Sequence, residues 1–120
     1  TTNRSARRLA NQLTSLGLPT EYMTGKNLDL ERDCAKSLVI HSAKGLEFPI
    51  LAIPYLEEGI LPNIAEETSE DSDIAEEIAL QSRLFYVGCS RAMRRLFVSY
   101  RQDFKSRFLE DLTYWNQSNL

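Results

Sequence analysis

The chain has 120 residues, of which 42% are hydrophobic and 26% charged, and a formal net charge of -3; this describes one ordinary globular domain, too short for two typical ones and able to bury about 65% of its unfolded surface. No uncharged apolar run approaches the roughly 18 residues of a membrane span, and the Arg-containing start from Thr1 to Arg8 leads into no signal-type apolar segment, so a cytoplasmic chain with no membrane partner is expected. Cys34 and Cys89 have neither a C-x-x-C partner nor a His cluster beside them, which reads as two free thiols rather than a zinc site.

From the N-terminus, Leu9, Leu13 and Leu16 recur at helical spacing and predict a helix over about Asn3 to Leu16, stopped by Gly17 and Pro19. No strand precedes it, so the domain is expected to begin upstream of Thr1. Thr20 to Met23 is a weak candidate strand, and Ser37 to His41 and Ile50 to Pro54 are β-branched apolar runs with the pattern of buried, parallel strands. Residues 57 to 77 hold nine of the seventeen acids and no Lys or Arg, so the rest of the chain is basic, with a net charge of +6. The Ser, Asp and Glu tract from Glu66 to Glu77 reads as a solvated loop running into the N-terminus of a long helix, about Ile74 to Ala92. A third strand, Leu96 to Tyr100, and a short helix, Phe104 to Leu112, close the chain. Alternating helices and strands give an α/β class, with a mostly parallel sheet flanked by helices.

Two segments hold side chains that suit chemistry. His41, Ser42, Lys44, Gly45, Leu46 and Glu47 follow the predicted strand Ser37 to His41, at the strand end where open α/β sheets bind ligands. The same residues also read as a plain turn in which Gly45 takes unusual backbone angles and His41, Lys44 and Glu47 face water. In the long helix, Leu80, Leu84 and Val87 form an apolar stripe that Arg91 continues at the next step of four. That arginine points either into a cleft bordering the core or, snorkelling from a helix C-terminus, into water. Arg94 and Arg95 extend it into a small basic cluster, either a solvated face or a phosphate site. The P-loop pattern G-x-x-x-x-G-K-[ST] is absent, as are G-x-G-x-x-G and H-E-x-x-H, and one histidine in the whole chain leaves no basis for a His-built metal site.

Leu38 to Pro62 (LVIHSAKGLEFPILAIPYLEEGILP) and Arg83 to Tyr100 (RLFYVGCSRAMRRLFVSY) resemble, in order and spacing, the fifth and sixth motifs of the UvrD/Rep/PcrA family of superfamily 1 DNA helicases. The likeness spans Ser37 to Arg101, over half the chain, and the helix ending at Gly17-Leu-Pro19 resembles, more weakly, the helix after the fourth motif. It implies a partial RecA-like three-layer domain, the second of two, in an enzyme that moves 3′ to 5′ along single-stranded DNA using ATP. Its parts would be an N-terminal helix and connector (1 to 36), the motif core (37 to 101) with the acidic loop (57 to 77), and a C-terminal helix and tail (102 to 120). The resemblance further implies that Arg91 is the arginine finger on the γ-phosphate, that Gly45, Leu46 and Glu47 face ATP, and that His41, Ser42 and Lys44 lie on the DNA side. The P-loop, the Mg2+ ligands and the water-activating carboxylate would come from the first RecA-like domain, a partner in the same polypeptide, so the 120 residues alone are expected to be inactive.

Four departures from the family pattern stand out. Val39 replaces a Thr two residues before His41, Leu80 and Gln81 replace an acidic pair, and Ser90 replaces a Thr. Fewer than thirty residues separate Gly17 from His41, so the large inserted subdomain of the best-known members is either absent or cut out. A non-catalytic DNA-binding or regulatory module derived from such a domain, and an unrelated α/β interaction domain docking through its acidic loop, are the rival readings. A P-loop upstream in the reading frame separates them from the first.

Overall fold

Thr2 starts the first helix by accepting the Ser5 N–H on its hydroxyl at 3.2 Å, and α1 (Asn3–Ser15) runs from there. It ends where the sequence places its stop: the Leu18 N–H donates to Leu13 O at 3.0 Å and the Gly17 N–H to Thr14 O at 3.1 Å, a paired closure that needs Gly17 in its left-handed conformation, φ 95°. Its packed face is built by Ala6 and Ala10, with Leu9 and Leu13 half-buried; Leu16, expected on that face, is exposed. The computed structural model describes residues 2–64, 71–110 and 112, and these fall into two compact units, residues 1–47 and 48–120.

In the first unit, α1 covers a short parallel pair, β1 (Thr20–Tyr22) and β2 (Ala35–Ser37), in the register Thr20 to Ala35 and Tyr22 to Ser37. Small side chains on α1 let the strands come close. The buried Ser37 hydroxyl donates to Ala6 O at 2.8 Å, and Arg7 lies over the Tyr22 ring at 4.7 Å. The Ser37 to His41 run is therefore not one strand. Pairing stops at Ser37 because β1 offers only three residues, and the chain turns into a 3-10 helix, Ile40–Ala43, closed by the Ser42 N–H donating to Val39 O at 2.9 Å.

In the second unit, β3 (Phe48–Ile53) and β4 (Ala92–Val98) pair in parallel, joined by α2 (Asp71–Cys89). Pairs such as Ile53 with Val98 and Leu51 with Leu96 share the packed face. Ile50, 63% exposed, and Phe97, 53% exposed, lie on the other. The core joins Leu56, Leu61, Phe85, Phe108 and Leu109, and the Phe85 and Phe108 rings stack at 5.8 Å. The α2 residues turned inward are Ile74, Ile78, Gln81, Phe85 and Gly88, all buried or half-buried; Leu80 is 56% exposed and Val87 is also exposed. Of the expected stripe, Leu80 and Val87 are thus exposed and Leu84 is half-buried, so the stripe is not the packed face of α2, and Phe85 holds the core.

The helix expected over Phe104 to Leu112 is replaced by two 3-10 turns, Gln102–Phe104 and Arg107–Leu109. Bonds to the loop after β3 dictate this path: the Ser106 N–H donates to Leu56 O, the Glu58 N–H to Phe104 O, and the Ser106 hydroxyl to Leu61 O. Of the acidic tract, Glu66 to Glu70 lie outside the described residues, and Asp71 to Glu77 form the first turns of α2. No helix among the described residues is long and apolar enough to cross a membrane.

Candidate functional site

His41, Ser42, Lys44, Gly45, Leu46 and Glu47 lie together on one tight bend of the first unit. Buried Ala43 anchors it, the Leu46 N–H donates to Ala43 O at 3.1 Å, and Gly45 stands at φ 79°. That angle is why a glycine is needed there. No atom lies within 4 Å of where a Cβ on Gly45 would sit, so the requirement is conformational rather than steric. His41, Lys44 and Glu47 are exposed, and Ser42 and Leu46 are half-buried. The bend presents a cationic, an imidazole and a carboxylate side chain to solvent within seven positions, and its backbone is fixed by local hydrogen bonds.

Arg91 belongs to the second unit, just beyond the last residue of α2. Its guanidinium turns back along the helix end: Nε donates to Val87 O at 3.2 Å and to Ser90 Oγ at 3.2 Å, and Nη2 donates to Ser90 Oγ at 3.0 Å. Its own carbonyl accepts the N–H of Phe48, the first residue of β3 and the next in sequence after Glu47, at 2.8 Å. Both the last turn of α2 and the start of β3 therefore hold the Arg91 backbone. Every side-chain partner of this guanidinium is neutral, and no carboxylate among the described residues pairs with it. A fixed, uncompensated cation at a helix end is equipped to meet an anion. Arg94 and Arg95 are both exposed on successive positions of β4, next to an irregularity in its pairing with β3.

The structure also shows pairings that no motif or spacing in the sequence signals. Glu57, 2% exposed, accepts the Arg101 N–H on Oε1 and the Arg101 Nε on Oε2, both at 2.9 Å, and its Oε2 lies 2.9 Å from Nη2. The Arg101 side chain itself is 68% exposed and covers the carboxylate from the solvent side. Glu58 holds Arg107 as a fork, with Nε on Oε1 and Nη2 on Oε2, both at 3.0 Å. Hydrogen bonds from Arg101 and Arg107 pull the carboxyls of Glu57 and Glu58 below the ordinary carboxylate range, against the opposing effect of burial. Two acids counted in the acidic stretch are thus neutralised by arginines more than forty positions away, a distance at which no sequence periodicity signals them. Gln81 is a second such residue: it accepts the Asn63 N–H at 2.8 Å and donates to Asn63 O at 2.7 Å, tying α2 to the loop.

A family model described as the UvrD-like helicase C-terminal domain matches residues 1–103. The chain is 43% identical over 70 residues to the ATP-dependent DNA helicase Rep of Buchnera aphidicola subsp. Acyrthosiphon pisum, covering 58% of this chain and 10% of that protein. It is 33% identical over 100 residues to DNA helicase II of Haemophilus influenzae, covering 78% of this chain and 13% of that protein. It is 34% identical over 91 residues to the ATP-dependent DNA helicase PcrA of Bacillus subtilis, covering 68% of this chain and 12% of that protein. The chain thus spans little more than a tenth of the length of these relatives. A solved structure, the C-terminal domain of a possible DNA helicase from Lactobacillus plantarum WCFS1, superposes with a TM-score of 0.62 at 20% identity, covering 95% of this chain and 60% of that one. That superposition bears on the fold alone, and it agrees with the α/β class.

Proposed function

The chain belongs to the UvrD-like helicase C-terminal domain family, and on that premise we propose that it is the second motor domain of a cytoplasmic, ATP-dependent 3′ to 5′ DNA helicase or translocase. The observation that supports the reading is the state of Arg91, a guanidinium fixed at the end of α2 by Val87 O and Ser90 Oγ and paired with no carboxylate among the described residues. Negative charge accumulates on the γ-phosphate oxygens during phosphoryl transfer, and an arginine supplied from a separate rigid body is worth about 10³ to 10⁵ in rate. Because the finger sits on a different domain from the P-loop, hydrolysis couples to domain closure.

In this reading Gly45 and Leu46 let the backbone approach the nucleotide and Glu47 faces its ribose, while His41, Ser42 and Lys44 contact single-stranded DNA from the same bend. The fixed bend and the exposure of His41, Lys44 and Glu47 suit those roles. Bound Mg2+ would supply charge neutralisation at the phosphates. By the family likeness its ligands are assigned to the P-loop domain, and the 120 residues alone are expected not to hydrolyse ATP.

The test uses the polypeptide that joins this domain to a P-loop domain. Arg91→Ala and Arg91→Lys should each reduce DNA-stimulated ATP hydrolysis by about 10³-fold or more while nucleotide binding is retained. Turnover at the wild-type rate in either variant defeats the assignment. His41→Ala should weaken single-stranded DNA binding and blunt its stimulation of ATP hydrolysis; if both stay normal, the DNA role is wrong.

A further inference from the structure

We propose that Ser90 is a positioning residue for Arg91, its hydroxyl turning one edge of the guanidinium toward the helix so that the other edge is presented to phosphate. The inference rests on the reading of Arg91 as the phosphate-facing arginine. A hydroxyl has one hydrogen to give, and the Ser90 hydroxyl gives it to Val87 O at 2.7 Å. Its lone pairs are then directed away from the helix, and two Arg91 donors converge on them, Nε at 3.2 Å and Nη2 at 3.0 Å. Nε is also shared with Val87 O at 3.2 Å. The donors engaged are Nε and Nη2, one side of the planar fork; the side formed by the two terminal nitrogens is left for a two-point contact with phosphate oxygens.

Two further features make this arrangement more than incidental packing. A hydroxyl that donates to a carbonyl is a better acceptor, so the chain from Arg91 through Ser90 to Val87 O is mutually reinforcing. It is also electrically neutral apart from the arginine. A carboxylate in the place of Ser90 would hold the guanidinium as firmly but would cancel the charge, as Glu57 and Glu58 do for Arg101 and Arg107. Ser90 therefore orients the cation without discharging it. It also reduces the rotamer freedom that Arg91 loses when phosphate arrives.

The experiment is steady-state ATP hydrolysis with single-stranded DNA, in the same polypeptide, for wild type, Ser90→Ala, Ser90→Cys, Ser90→Thr and Arg91→Lys. Displacing a catalytic group by about 1 Å costs as much as 10²-fold, and with the Val87 contact retained the expected loss in kcat for Ser90→Ala is about tenfold. KM for ATP should stay within about twofold, because the orientation matters most in the transition state. Ser90→Thr, which keeps the hydroxyl, should restore kcat, and Ser90→Cys, with a longer and weaker thiol, should behave like Ser90→Ala and serves if that variant folds poorly. Binding of ADP with aluminium fluoride should weaken in step with kcat, whereas binding of a non-hydrolysable ATP analogue should not. Wild-type kcat in Ser90→Ala beside an inactive Arg91→Lys overturns the Ser90 role and leaves the arginine finger standing. A loss in Ser90→Ala that Ser90→Thr does not repair also overturns it. An active Arg91→Lys removes the premise, so the two failures are distinguishable.

Discussion

Replacing Phe85 by Ala tests which face of α2 holds the second unit together. The ring is fully buried, stacks on Phe108 at 5.8 Å with an interplanar angle of 20°, and meets Tyr86 at 5.7 Å. A buried phenylalanine removes about 150 to 250 Å² from water, which at roughly 25 cal/mol per Å² amounts to about 4 to 6 kcal/mol. Alanine keeps part of that area but leaves a cavity, and large-to-small changes of this kind cost about 3 to 5 kcal/mol. Against a total stability of about 5 to 15 kcal/mol for a domain, that leaves little margin. Urea denaturation followed by far-ultraviolet circular dichroism should show the loss, with Leu80→Ala as the control. Leu80 is 56% exposed, so its truncation should stay within about 0.5 kcal/mol. A Phe85→Ala cost below about 1 kcal/mol, or equal costs for the two variants, would refute the packing assigned to α2 and favour the Leu80, Leu84 and Val87 stripe.

Two further outcomes follow from the loop after β3. Glu57 has a lowered pKa in the folded chain, chiefly through its hydrogen bond with Arg101, so its stabilisation is complete above the ordinary carboxylate range and is lost as pH falls through the lower folded value. Glu57→Gln removes that titration, and its melting temperature should approach that of wild type as pH is lowered from neutral to about 2; parallel curves would contradict the pairing. Tyr55 stands at φ 58°, a left-handed conformation that costs a side-chain-bearing residue about 1 to 2 kcal/mol. Tyr55→Gly should therefore raise the melting temperature above that of Tyr55→Ala, which keeps the strain, and the reverse order in thermal melts would defeat the argument.

What the sequence reveals and what it conceals divide along a physical line. α1, β1, β3, β4 and α2 are legible because each is specified locally, by leucine spacing, a Gly stop or a β-branched run. The Ser37 to His41 strand fails because strand length is set by the partner: β1 supplies three residues, and the apolar run beyond them closes on itself through Val39 O and the Ser42 N–H. The Phe104 to Leu112 helix fails because hydrogen bonds from Ser106 to Leu56 and Leu61 outcompete helical ones. The inner face of α2 is hidden because two of its members, Gln81 and Gly88, do not look like core residues. Gln81 nevertheless sits there with its amide satisfied in both directions by Asn63. The candidate bend from His41 to Glu47 is visible as a motif, whereas the neutral cradle of Arg91 depends on side-chain geometry that spacing does not encode.

The arginines sort by the kind of acceptor they meet, and that sorting bears on nucleic acid more directly than net charge does. Arg32, Arg101 and Arg107 each pair with a carboxylate at 2.9 to 3.0 Å, so their charge is used within the fold. Among the described residues Arg91 meets only a hydroxyl and a carbonyl, and Arg94 and Arg95 are exposed on β4. The basic excess outside residues 57 to 77 is therefore smaller in effect than a count along the chain implies, because Glu57 and Glu58 reach out of that stretch to neutralise Arg101 and Arg107. Among the described residues, Lys44, Arg91, Arg94 and Arg95 are cations that no salt bridge to a carboxylate engages. Phosphate contacts made by uncompensated cations release counterions and weaken with salt, whereas an arginine already held by a carboxylate adds little to that slope. The salt dependence of single-stranded DNA binding by the whole polypeptide should accordingly fall by about one phosphate contact's share when Lys44 is changed to Ala and stay unchanged when Arg107 is changed to Ala. Equal slopes for the two variants would show that local pairing does not decide which arginines and lysines face the DNA.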